Sequence, residues 1–159
     1  MGLDATVYCN CFETGTLKEP PPCLELVAIA PDGSLDCRSE NPETLLAFDQ
    51  WLLHRACEHA NGILLHYHIG NLAQVSLLRS ELEREADMFP VSLVKILYSG
   101  THSGDCLSLD DVRNVQSELK LLDGRVCLSD INQAYVAEYR QQMTELAEAA
   151  LNVGKPISF

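Results

Sequence analysis

The chain has 159 residues, 23 Asp and Glu against 11 Lys and Arg, and a formal net charge of -12 with a pI near 4.6, yet 47% of it is hydrophobic. That combination describes one acidic folded domain over 1–159, large enough to bury roughly two-thirds of its unfolded surface, and no disordered acidic tail. It argues against nucleic-acid and anionic-membrane binding, because the basic residues are scattered singly, and it favours basic partners.

Residues 5–12 alternate, with Ala5, Val7, Cys9 and Cys11 on one face, and predict a first strand. Pro20-Pro21-Pro22 gives a stiff surface connector. Leu24–Ala30 reads as a second strand, Pro31-Asp32-Gly33-Ser34 as a turn, and Leu35–Arg38 as a short third strand. Asn41 is a good N-cap and Pro42 suits a first helical position. Leu45, Phe48, Trp51, Leu52 and Ala56 then recur at helical spacing until Asn61-Gly62 ends the helix. Ile63–His68 is apolar and short, a strand or a buried turn. A second helix is predicted from Asn71 to Asp87, with Glu81 and Glu85 on its exposed face and Pro90 beyond its end.

Val91–Tyr98 reads as a strand and Ser99–Asp105 as a Gly-bent loop. Ser108 and Asp111 form a capping-box pattern opening a third helix through Leu122. Arg125–Leu128 is a short candidate strand, and Ser129 or Asp130 caps a fourth helix to about Asn152. The sum is an α+β domain: an N-terminal antiparallel hairpin element in a small mixed sheet, packed against about four helices.

Seven cysteines, an odd number, with no basic and apolar leader in front, read as reduced thiols in a cytoplasm, and no cofactor is required. The histidines raise a metal alternative. His66 and His68, at i and i+2, share a face if that piece is a strand. On a continued first helix, however, His54, Cys57 and His59 would not converge, since His59 would lie about 200° round from Cys57. The weak metal candidates are therefore His54, Cys57, His66 and His68. Cys9 and Cys11 on one strand face could bind a soft metal or oxidise, but at about 7 Å apart they are too far for an easy disulfide, and the preferred reading is a core or half-buried pair.

The loop at 99–105 holds Ser, His and Asp, but a catalytic triad is assembled from separate elements, and no G-x-S-x-G elbow is present. Phosphate-loop patterns are missing as well. An enzyme working through His102 and Asp105 would need a pocket beside this loop. The preferred reading is non-enzymatic: His102, Asp105, Asp110 and Asp111, with Glu81 and Glu85, dock a basic protein.

Several pieces of the chain carry a resemblance: MGLDATVYCNCFE with the following PPP, LLHYHIGN, YSGTHSGDCLSLDDV and GKPISF. In these the chain resembles a group of small bacterial cytoplasmic proteins, over its whole length. In size and charge that group is similar to immunity proteins of polymorphic-toxin systems. The resemblance implies a cognate basic toxin, such as a nuclease, as partner. It transfers no functional residue.

Overall fold

The computed structural model describes residues 2–100, 102–122 and 130–159, and no side chain of residues 130 and 131. The expected strand at 125–128 and cap at Ser129, and Cys127, lie outside the described residues.

The α+β architecture with four long helices is the one expected. Its sheet is built around β1 (Gly2–Tyr8), whose Leu3, Ala5 and Val7 point into the core while Asp4 and Thr6 point away. β1 pairs along its whole length with β4 (Ile63–Asn71), from Gly2 opposite Asn71 to Tyr8 opposite Ile63. Its other edge takes β6 (Ile157–Ser158), which in turn pairs with β5 (Cys106–Leu107). The order is β4-β1-β6-β5, and every pairing is antiparallel where a mixed sheet was expected. The hairpin of β2 (Val27–Ile29) and β3 (Leu35–Cys37) forms a separate two-stranded sheet.

Two apolar clusters follow. The larger joins Leu3, Ala5, Val7 and Ile157 to three helices: α3 (Leu72–Leu82), α4 (Leu109–Leu121) and α5 (Asp130–Val153), through Leu78, Leu82, Val112, Val115, Met143 and Leu146. The smaller gathers Cys23, Cys37, Phe48, Trp51 and Ala56 between the hairpin and α2 (Pro42–His54). Buried Lys155, 4% exposed, ties the two regions together. It donates to the Gly33 carbonyl at 3.1 Å and pairs with Glu13 of the four-residue α1 (Cys11–Thr14).

The local signals at helix starts were sound. Asn41 accepts from the Glu43 amide with Pro42 at the first position, and Ser108 and Asp111 cap one another. Helix α3 has a true capping box between Asn71 and Gln74, with no loop separating it from β4. It ends at Leu82, and 3-10 turns carry the chain to Met88.

The predicted strand at 91–98 is a helical turn instead, π-type over Ser92–Ile96. Leu93, Ile96 and Leu97 are buried at helical spacing, whereas Val94 is 69% exposed. The buried Glu118 carboxylate accepts from the Val91 amide (2.8 Å), the Ser92 amide (2.9 Å) and the Ser92 hydroxyl (2.6 Å). It thereby supplies acceptors that an isolated turn of this length lacks.

Candidate metal centre

Two departures from the expected elements create the site. Strand β1 stops at Tyr8, so Cys9 leaves the sheet and Cys11 opens α1. Helix α2 stops at His54: the Arg55 and Ala56 amides both close on the Trp51 carbonyl, and the Ala56 carbonyl is taken by the Lys18 amide. Cys57 and His59 therefore lie on irregular backbone, free of the helical angle that would separate them. The turn after them needs left-handed backbone at Asn61 (φ 56°) and Gly62 (φ 69°), and the Gly62 carbonyl accepts from the Cys9 amide at 2.8 Å. That bond sets one pair against the other.

The result is a tetrad of Cys9, Cys11, Cys57 and His59 whose ligand atoms all lie within 4.8 Å of one another. The Cys9 and Cys57 sulfurs are 3.8 Å apart, Cys11 Sγ lies 3.5 Å from His59 Nδ1, and Cys57 Sγ lies 3.7 Å from the same nitrogen. In a tetrahedral zinc centre with bonds of about 2.3 Å to sulfur and about 2.0 Å to nitrogen, sulfurs stand about 3.8 Å apart and sulfur and nitrogen about 3.5 Å. Those three edges match, and the other three are no longer than 4.8 Å. Cys9 is buried, while Cys11, Cys57 and His59 are half-buried. Burial, with the neighbouring Cys11 and Cys57 sulfurs, pushes the Cys9 thiol up to about 12. A negative charge on Cys9 is therefore disfavoured unless a cation stands against it.

Of the metal candidates His54, Cys57, His66 and His68, only Cys57 belongs to this tetrad; Cys9 and Cys11, preferred as a core pair, do as well. His54 is exposed at the end of α2. His66 and His68 do share the outer face of the sheet, but each is engaged by β1, His66 with the Thr6 hydroxyl at 2.9 Å and His68 with Asp4 at 2.8 Å. Cys9, Cys11 and His59 were readable as the pairs Cys-x-Cys and Cys-x-His. Assigning those pairs to a regular strand and a regular helix hid them.

Of the carboxylates expected to dock a partner, Asp105, Asp110, Asp111 and Glu81 are engaged within the chain. Asp111 pairs with Lys95 at 2.7 Å and caps α4, which holds its carboxyl below the usual range. Asp110, 90% exposed, pairs with Arg113 at 2.6 Å. Glu81, expected to be exposed, is buried; it accepts from Asn132 at 2.9 Å and meets Arg84 at 3.1 Å. Glu85 is exposed on the 3-10 segment after α3. Asp105 accepts from the Tyr98 hydroxyl, which raises the phenol's pKa, and lies 3.9 Å from His102 Nδ1.

Comparison with known proteins finds no matching family model, no matching curated protein and no matching solved structure. Among the described residues no helix is long and apolar enough to cross a membrane.

Proposed function

We propose that this chain is a metal-binding protein whose Cys9, Cys11, Cys57 and His59 hold one zinc ion. The observation that carries the reading is the convergence of four ligand atoms within 4.8 Å, three of their six edges having the lengths of a tetrahedral Cys3His centre. Soft sulfur with one imidazole suits zinc better than the hard cations calcium or magnesium. Four protein ligands close the coordination sphere, so the ion's work is structural: it fastens residues 9–11 to residues 57–59.

The test is elemental analysis of untagged protein, followed by cobalt substitution. About one zinc per chain and the visible absorption of tetrahedral cobalt are expected. Replacing Cys9 or Cys57 by Ser should lower both, while His54→Ala and His66→Ala should change neither. Protein that carries no transition metal and takes up no cobalt after reduction would sink the reading.

A basic protein partner, in the manner of an immunity protein bound to its toxin in a cytoplasm, is a second proposal. It is supported by the net charge of -12 and the exposed Asp110 and Glu85. Copurification with no basic protein would count against it. It and the zinc site are compatible, since the tetrad lies away from those carboxylates in the sequence.

A further inference from the structure

A cavity of about 510 Å³ opens where the start of β1, the first turns of α3 and residues 97–100 and 102–103 meet. That is the size of a site for a small organic molecule. One helix face supplies a wall: Leu72, Val75, Ser76 and Arg79 recur at the three- and four-residue spacing that aligns side chains along α3. Leu3, Leu97 and Phe159 make the interior apolar. Leu72 is 58% exposed at the first position of α3, an apolar side chain that an occupant would cover.

His102 and Arg79 add polar groups to this apolar lining. The His102 ring is tilted 47° to that of Tyr98, centroids 4.2 Å apart, and has only 12% of its side chain exposed. Its Nδ1 is buried with no hydrogen-bond partner among the described residues, the Asp105 carboxylate being 3.9 Å away. That nitrogen is closed off from the cavity as from solvent, so the ring borders the cavity by its other edge. Arg79, on the α3 wall, spends Nε on Glu83 (2.7 Å) and Nη1 on the Leu97 carbonyl (3.4 Å), and neither bond uses Nη2. Asp4 also lines the cavity, but His68 engages its carboxylate at 2.8 Å.

We infer that this cavity is a binding site for a small carboxylic acid with an apolar body, its carboxylate taken by Arg79 and His102 and its body packed on Leu72, Val75, Leu97 and Phe159. Guanidinium fits a carboxylate geometrically, and a neutral amide of the same shape offers one acceptor without charge. The site is independent of the zinc tetrad, so either can fail without the other.

The probes are 2-naphthoate and its neutral amide, 2-naphthamide, titrated into the full chain with binding followed by amide chemical shifts. Saturable shifts of residues around α3, 97–100 and 102–103 are expected, with the acid bound about tenfold tighter than the amide. Arg79→Gln and His102→Phe, the second preserving a ring against Tyr98, should each reduce that preference. Ser76→Trp, placed on an exposed helical position, should block both probes without touching the core. Absence of saturable binding by either probe, equal affinity for acid and amide, or a preference unmoved by Arg79→Gln and His102→Phe would overturn the inference.

Discussion

If Cys9, Cys11, Cys57 and His59 hold a zinc ion as proposed, removing it should cost stability by an amount that the chain path sets. Cys9 and Cys57, like Cys11 and His59, are separated by 48 residues. An ion held by both pairs closes that loop as a disulfide would. For a loop of that length the chain-entropy relation gives about 4 kcal/mol at 25 °C. In a protein of this size, where one kcal/mol shifts the midpoint by about 2–4 °C, chelation should lower Tm by about 8–16 °C. The assay is thermal unfolding followed by circular dichroism, in reducing buffer with zinc and with a chelator. The double variant Cys57→Ser, His59→Ala removes one side of the clip and should melt at the same temperature in both buffers. His68→Ala should keep the full zinc effect, because that ring belongs to Asp4. A wild-type Tm unchanged by chelation would refute the loop argument, whatever the metal content.

Three further outcomes follow from particular contacts. Glu118→Gln should destabilise the fold by about 3 kcal/mol, measured by urea unfolding, because a carboxylate accepting three bonds becomes an amide that presents donors to donors. Brief alkylation with iodoacetamide and peptide mapping should label exposed Cys106 ahead of Cys23 and Cys37. Those two are buried with sulfurs 3.4 Å apart, and burial first, then Cys37, raises the Cys23 thiol to about 11. Asp111 has a folded pKa held below its unfolded value, chiefly by the Lys95 hydrogen bond, so its contribution is present above the ordinary carboxylate range and is lost as pH falls through the lowered value. Lys95→Met should move the Asp111 titration upward in a carbon-detected NMR series and flatten the acid limb of the stability curve; an unmoved titration would remove Lys95 as the cause.

What the sequence disclosed is what neighbouring residues decide. Asn41-Pro42 and Ser108…Asp111 announce helix starts because the cap acts within three residues. Two misreadings have one cause, a distant partner overruling a local pattern. The apolar run at 91–98 suits a strand by composition, but Glu118, 26 residues beyond Ser92, supplies the acceptors that make it a helical turn. The tetrad was hidden because Cys57 and His59 converge only if α2 ends early, and that end is held by the Lys18 amide and by packing around Trp51. Charge likewise gave the sign of the surface but not its arrangement: Glu81 looks exposed on a helical wheel and is turned inward to Asn132 and Arg84.

The division into two apolar clusters has a consequence for the order in which the chain takes shape during synthesis. Everything that forms the smaller cluster, and all four residues of the tetrad, lies before residue 60. The sheet is different, because β1 gains its second neighbour only from Ile157 and Ser158, about as far away along the chain as this length permits. A nascent chain could thus bring the tetrad together and pack Trp51 while β1 still has an open edge. Metal captured at that stage would fix where β1 ends, and hence where β4 and β6 find it, long before the last strand leaves the ribosome.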